Sequence, residues 1–250
     1  MSACPADRPV SFRAATQGAR ALKEVFQTIT LESCPKVYNF HMHTRCSDGK
    51  LSPEDLMSQA VDLGLRGMAI TDHHSVKGYL KARRWMEDWR WRHPSAWQPL
   101  KRSAAHRAVK PLPRLWSGIE INARLLETEV HILGYAFDWT HPALQPYLQG
   151  CASHPQDRQA AKVIAAIQQA GGIAVLAHPA RYRHAVLAEL IETAARLGID
   201  GVETYYAYDN PPVWRPSPEK TAQVKRLADR YQLLNTCGTD THGLTLTRRL

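Results

Sequence analysis

The amino-acid sequence predicts an α/β protein built on a mostly parallel sheet, either wound into a barrel or left open. Seven short apolar segments have the length of strands, and helical segments separate most of them, as a parallel sheet requires. Apolar residues run together within these segments instead of alternating with polar ones, which is typical of strands buried on both faces. In addition, histidines and acids follow the ends of several strands.

The strands and helices are assigned from hydrophobic spacing and from the residues that start and stop helices. The predicted strands are KVYNFH, GMAITDH, LWSGIEI, EVHILGY, IAVLAH, DGVETYY and LLNTCGT. Helices are predicted at 16–31, from Ser52 through LMSQAVDLG, and at about 76–91, 156–170, 184–197 and 217–231. Residues 1–35 then form a tail and one helix, and 36–250 form the main domain.

Composition narrows the class of protein. The 250 residues carry a formal net charge of +9, which favours anionic partners such as nucleotides or nucleic acid. The five cysteines lack the spacing of a disulfide framework or of a structural zinc site. The N-terminal stretch has no apolar signal region, and no apolar run is long enough for a membrane span. We therefore expect a reduced, cytoplasmic protein without a membrane partner.

The stretch NFHMHTRCSDG, at the end of the first predicted strand, carries two histidines one residue apart. Residues i and i+2 of a strand point the same way, so His41 and His43 can bind one or two metal ions together. Asp48 lies in a polar turn that can fold back over them. For this motif alone, a pair of surface histidines in a loop is the better explanation.

Further histidines and acids mark the ends of other strands. They are Asp72, His73 and His74 in TDHHS, Glu120 in SGIEIN, His131 in EVHILGY, His178 in VLAHPARY, and Asp240 and His242 in CGTDTHG. Singly, each has a structural explanation: Asp72 can cap a helix, and His131 can be a core residue. In a barrel, however, the ends of parallel strands share one face, where such residues would converge.

Nine of these side chains are candidate metal ligands: His41, His43, Asp48, His73, Glu120, His131, His178, Asp240 and His242. Nine ligands can hold two or three divalent ions. Imidazole and carboxylate without thiolate suit Mn, Zn or Fe.

The motifs HxH, SDG, TDHH, GIE, HILGY, AHP and GTDTH occur in this order over residues 36–243. Together they resemble the PHP family (polymerase and histidinol phosphatase domain). The resemblance implies a distorted seven-stranded (β/α)7 TIM-like barrel and a metal-dependent phosphoesterase with a trinuclear site. The family's ligand positions match all nine candidates, which favours an active enzyme.

The predicted reaction is attack on phosphorus by a metal-activated hydroxide, with nearby cations neutralising the phosphate oxygens. Arg45 and Arg181 are candidate phosphate ligands, because guanidinium binds phosphate bidentately. Asp72 is a candidate for orienting a ligand imidazole. His184 or His74 is a candidate proton donor to the leaving oxygen, and Tyr182 is a further residue of the same region.

A basic insertion at 92–114 interrupts the pattern with cations, tryptophans and prolines. Such a stretch can bind a short nucleic acid by charge and stacking. It is also typical of a solvated loop or a lid. Relatives that hydrolyse nucleotide 3′,5′-bisphosphates typically carry a larger insertion between HILGY and AHP, where this chain has space for only a linker and one helix.

The predicted substrate is therefore a phosphorylated small molecule, either a phosphomonoester or a small nucleotide. A nuclease acting on nucleic-acid ends is the alternative enzyme, and nothing in the sequence selects histidinol phosphate. A non-catalytic nucleic-acid-binding module is the alternative from another class, although binding alone does not require nine metal ligands.

Overall fold

Helices and strands follow the predicted order in the computed structural model, which describes residues 11–93 and 110–250. In chain order they are α1 (Phe12–Phe26), β1 (Tyr38–Asn39), α2 (Pro53–Leu63), β2 (Gly67–Ala69), α3 (Lys77–Arg92), β3 (Arg114–Trp116), β4 (Gly118–Leu125), β5 (Thr128–Tyr135), a 3-10 helix (Pro142–Tyr147), α4 (Ala160–Gln169), β6 (Ile173–Leu176), α5 (Leu187–Arg196), β7 (Gly201–Tyr205), α6 (Pro218–Arg230) and β8 (Leu234–Cys237).

The helix boundaries reflect local capping. The hydroxyl of Ser52 accepts a hydrogen bond from the third residue of α2, and Gly64 ends that helix in a left-handed conformation, as the sequence predicts. α1 begins earlier than predicted, because the hydroxyl of Ser11 accepts a hydrogen bond from the amide of Ala14. The helix also ends earlier, at Phe26.

The strands of the described residues form two sheets. β1, β2 and β3 make a parallel three-stranded sheet, and β4 to β8 make a five-stranded sheet in sequence order. The expected parallel arrangement is wrong for β4, β5 and β6, which pair antiparallel. The physical reason is the two-residue turn Leu126–Glu127, since a tight hairpin can join only antiparallel neighbours.

A closed seven-stranded barrel is not confirmed, because the two sheets of the described residues do not join into one. The predicted strand LWSGIEI is divided at Ser117, so that β3 and β4 lie in different sheets. Single parallel bridges still connect the sheets, between Met42 and Thr241 and between His73 and Glu120. These bridges bring the ends of the strands together on one side of the molecule.

Three groups of apolar side chains pack around the sheets. The first group includes Ile164 of α4, Ile191 of α5 and Val224 of α6. These three helices cover the five-stranded sheet. Phe26 of α1 packs edge-on against Phe40 at a ring distance of 5.0 Å. A third group joins α2 and α3 to β2. The strands are buried on both faces, which is why their sequences do not alternate.

Most of the predicted basic insertion, residues 94–109, lies outside the described residues. Its possible contact with nucleic acid therefore stays a prediction from sequence. Among the helices of the described residues, none has the length and apolar character needed to cross a membrane.

Gly238 lets β8 pass directly beside the first candidate ligand. A Cβ atom at Gly238 would lie 2.1 Å from the Cβ of His41 and 2.6 Å from its backbone nitrogen. Real Cβ atoms do not approach this closely, so any side chain at Gly238 must displace the backbone at His41, just after β1. By contrast, a Cβ at Gly18 in α1 would lie 3.9 Å from Ala136 and would meet no closer atom of the described residues.

We expect Gly238→Ala to lower the free energy of unfolding by about 1–3 kcal/mol or more, because the added methyl overpacks the strand ends. Urea unfolding followed by circular dichroism measures this change. Gly18→Ala is the matched control and should be neutral or slightly stabilising, since alanine is the better helix former. A Gly238→Ala protein as stable as the parent would contradict the close approach.

Candidate metal centre

His41 and His43 stand side by side where β1 ends. Both side chains are fully buried, and their Nε2 atoms lie 3.2 Å apart. The strand geometry therefore points both rings to one side, as expected for residues i and i+2. The alternative of two surface histidines in a loop does not describe this pair.

Two buried carboxylates face these rings. The Glu120 Oε2 atom lies 3.1 Å from His41 Nε2 and 3.0 Å from His43 Nε2. The Asp240 Oδ1 atom lies 3.4 Å and 3.3 Å from the same two nitrogens. Ligand atoms of these four residues all lie within 4.8 Å of one another, which is the geometry of a metal-binding group.

Two further groups adjoin this one. Asp48 Oδ1 lies 3.4 Å from His43 Nδ1, and Asp48 Oδ2 lies 3.1 Å from His242 Nε2. Together with His73, these residues form the second group. The third group consists of His73, Glu120 and His131. Each pair of groups shares one residue: His43, Glu120 or His73. The arrangement can therefore hold ions close enough to act on one substrate.

His178 completes the set of nine predicted ligands. Its Nε2 atom lies 3.4 Å from the Oε1 atom of Glu120, and its side chain is buried. The backbone has a positive φ at His178 (28°) and at Asp240 (52°). Such conformations cost energy in residues other than glycine, so the surrounding structure must hold both ligands in place.

The charges of the site depend on one another. Burial by itself lowers the pKa of His43, but the carboxylates of Asp240 and Glu120 outweigh it and raise that pKa to about 9. Burial raises the pKa of Glu120 and of Asp240, but the nearby imidazoles hold both well below their ordinary values. Both carboxylates are thus ionised and available as ligands, and a bound cation would replace protons on the imidazoles.

The donor set fits divalent cations. Three buried atoms that face other candidate ligands have no hydrogen-bond partner among the described residues: Nδ1 of His43 and of His131, and Oε1 of Glu120. The Nδ1 atom of His131 lies 2.8 Å from this oxygen without hydrogen-bond geometry. Buried polar atoms without partners are costly, and coordination to Mn, Zn or Fe would satisfy them.

Glu203 is a site residue that our sequence reasoning missed. Its side chain is fully buried in β7, and its two carboxylate oxygens lie 3.0 Å and 3.1 Å from His41 Nδ1. Oε2 also accepts a hydrogen bond from the backbone amide of His178. A carboxylate that holds the outer nitrogen of a histidine fixes the ring for metal binding. The available signal was an acid within the apolar strand DGVETYY.

The second carboxylate oxygen of Asp240 accepts hydrogen bonds from Arg181, Tyr206 and Arg249. The three donor atoms lie 3.0 Å, 2.6 Å and 2.8 Å from Asp240 Oδ2, respectively. The sequence predicted Arg181 near a ligand, but it gave no reason to single out Tyr206 or Arg249.

Two other predicted residues bind groups beside the candidate ligands. Asp72 accepts hydrogen bonds from Thr44 and Ser47, and among the described residues it receives none from an imidazole. The Nε atom of Arg45 donates to the backbone of Lys50.

The two predicted proton donors and Tyr182 also have defined positions. The ring of His74 is 3.0 Å from the amide oxygen of Asn122. Tyr182 donates its hydroxyl to the carbonyl of Ala177, and its oxygen accepts the amide of His131. His184 is exposed, and the structure shows no contact between it and the nine ligands.

The PHP domain family model matches residues 39–212, which include the first seven of the nine predicted ligands. The chain therefore belongs to the PHP domain family, and the resemblance drawn from its motifs is confirmed.

Curated relatives match only part of the chain. A 5′-3′ exoribonuclease Rnm from Salmonella typhimurium is 32% identical over 124 residues, which cover 50% of this chain and 34% of the relative. A 3′,5′-nucleoside bisphosphate phosphatase from Chromobacterium violaceum is 28% identical over 136 residues, covering 54% and 39%. The matches thus span well under half the length of these relatives.

Two solved structures share the fold. One is from Bifidobacterium adolescentis and is classed as a metal-dependent phosphoesterase; its TM-score is 0.63 at 22% identity, over 86% of this chain and 93% of that one. The other is an amidohydrolase from Chromobacterium violaceum with bound sulfate, with a TM-score of 0.62 at 19% identity, over 82% and 87%. At these identities the likeness establishes the fold alone.

We expect Glu203→Gln to weaken metal binding about 10- to 100-fold, because the amide no longer balances the charge on His41. Competition with a chelator, read out by metal analysis, measures the affinity. Glu127→Gln is the control, since Glu127 is an exposed acid that pairs with Arg124. Equal affinities for the parent and Glu203→Gln would show that the carboxylate does not support the metal.

Proposed function

We propose that this protein is a metal-dependent phosphoesterase that hydrolyses a phosphomonoester or a small nucleotide. The observation that carries the proposal is the set of three ligand groups, each pair of which shares one residue. Phosphoryl transfer is catalysed mainly by positioning and by neutralising charge, which adjacent cations achieve together. Two or three ions of Mn, Zn or Fe are the proposed cofactors.

The open side of the site indicates how a substrate approaches. His41 and His43 are completely buried, whereas Asp48, His73 and His131 have side-chain exposures of 52%, 24% and 27%. A phosphate group thus reaches the cluster past these three residues. Divalent ions bound there would supply an activated water and neutralise the phosphate oxygens.

Residues around the ligands have distinct proposed roles. Arg181 is the proposed phosphate-binding residue, because its guanidinium lies beside Asp240 and is 37% exposed. Asp72 is a proposed positioning residue, since it holds the backbone and hydroxyl of Thr44 directly after the paired histidines. The contacts that the structure shows do not support the predicted roles of Arg45 as a phosphate ligand and of His184 as a proton donor.

A nuclease acting on nucleic-acid ends is the second candidate. Relatives named as 5′-3′ exoribonucleases favour it, as do the net charge of +9 and the basic insertion at 92–114. A non-catalytic nucleic-acid-binding module is the weaker alternative, because such a module has no use for nine clustered ligands.

We expect His43→Ala and Asp240→Asn to abolish phosphate release, because each removes a ligand from the central group. The assay measures release with Mn²⁺ from an aryl phosphate, mononucleotides, nucleoside bisphosphates and short oligonucleotides. His154→Ala, which changes an exposed histidine, is the control and should behave like the parent.

The preferred substrate in this panel separates the two enzyme candidates. Faster release from mononucleotides or aryl phosphate supports a phosphatase, and stepwise shortening of oligonucleotides supports a nuclease. Turnover by His43→Ala equal to that of the parent would contradict the proposed centre. Absence of release from every compound by a metal-loaded parent would contradict the proposed substrate class.

A further inference from the structure

The segment 243–250 folds back over the strand ends and carries Arg249 to the metal centre. Leu246 anchors it, with a fully buried side chain. The Leu246 carbonyl accepts hydrogen bonds from Asn39 Nδ2 at 3.1 Å and Thr239 Oγ1 at 3.0 Å, and its amide donates to Gln59 Oε1 at 2.9 Å. Buried partners thus fix the turn that places Arg249.

Arg249 and Arg181 approach the same oxygen from different segments. Arg249 Nε lies 2.8 Å and Arg181 Nη1 lies 3.0 Å from Asp240 Oδ2. The other carboxylate oxygen, Oδ1, faces the paired histidines. Asp240 therefore separates the two guanidinium groups from the ligand atoms, so that these cations flank the metal centre without entering it.

The pair carries more positive charge than Asp240 can balance. Among the described residues, Asp240 is the sole carboxylate within 4.0 Å of either guanidinium, so two cations share one anion. Each guanidinium uses a single nitrogen for this contact and retains further N–H donors. The side chains are 37% and 26% exposed, which leaves those donors open to a ligand.

We infer that Arg249 and Arg181 form a subsite for a second phosphate group of the substrate, next to the phosphate that is hydrolysed. Guanidinium binds phosphate through paired N–H donors, and the unbalanced charge favours an anion there. The second phosphate belongs either to a nucleoside bisphosphate or to the next phosphodiester of an oligonucleotide. This inference rests on the proposed phosphoesterase function and narrows its substrate class to compounds with at least two phosphates.

The test compares Arg249→Gln with the parent on three substrates: 4-nitrophenyl phosphate, adenosine 3′,5′-bisphosphate and a 5′-phosphorylated dinucleotide. We expect kcat/KM to fall about 10- to 100-fold on the preferred two-phosphate substrate, mainly through KM, because one charged hydrogen-bonding group is lost. Turnover of 4-nitrophenyl phosphate should change little. The larger substrate whose kcat/KM falls more in Arg249→Gln identifies the source of the second phosphate.

Two further variants separate recognition from structure. Arg249→Lys keeps the charge and should recover part of the lost KM effect. Arg248→Gln removes one positive charge from an exposed neighbour and should match the parent. Equal losses on all three substrates, together with a lower metal content for Arg249→Gln, would overturn the inference and leave Arg249 as a support for Asp240.

A binding measurement makes the test independent of turnover. Calorimetry with the metal-free protein compares adenosine 3′,5′-bisphosphate with adenosine 5′-monophosphate. We expect the parent to prefer the bisphosphate and Arg249→Gln to lose that preference. An unchanged preference in Arg249→Gln would overturn the subsite, whereas an inactive parent that retains the preference would count only against the proposed reaction.

Discussion

Glu120 is the centre on which the rest of the site depends. Its side chain is buried, and its oxygens lie between 2.8 Å and 3.5 Å from nitrogens of five histidines. An ionised carboxylate is stable in such a position only if cations or hydrogen-bond donors surround it. The strand ends that supply the histidines must therefore meet around Glu120, so the fold and the candidate metal centre depend on the same contacts.

A second set of residues fixes the ligands from behind. Glu203 holds the outer nitrogen of His41, and the hydroxyl of Tyr206 donates a hydrogen bond to the outer oxygen of Asp240. Both ligands are thus oriented before any cation binds. Preorganisation of this kind reduces the cost of assembling a metal site and sharpens its geometry.

Reaction class and substrate choice depend on different parts of the molecule. The nine candidate ligands come from the strand ends and the turns beside them, and eight of them form the three groups that could hold metal ions. The cations that would select among phosphorylated compounds lie at the rim, in the loop after β6 and in the segment 243–250. Members of one family can therefore share the centre and act on different substrates.

The sequence by itself determined the order of the elements and the family and singled out the nine candidate ligands, because strand-end motifs and helix caps such as Ser52 are local signals. It did not predict the antiparallel β4–β5–β6 arrangement or the division of LWSGIEI between two sheets, since strand pairing depends on distant neighbours. Only the tertiary structure brought Glu203 to His41 and Arg249 to Asp240. An acid in an apolar strand and an arginine beyond the last motif carry no local mark of these contacts, which exist only once the chain has folded back on itself.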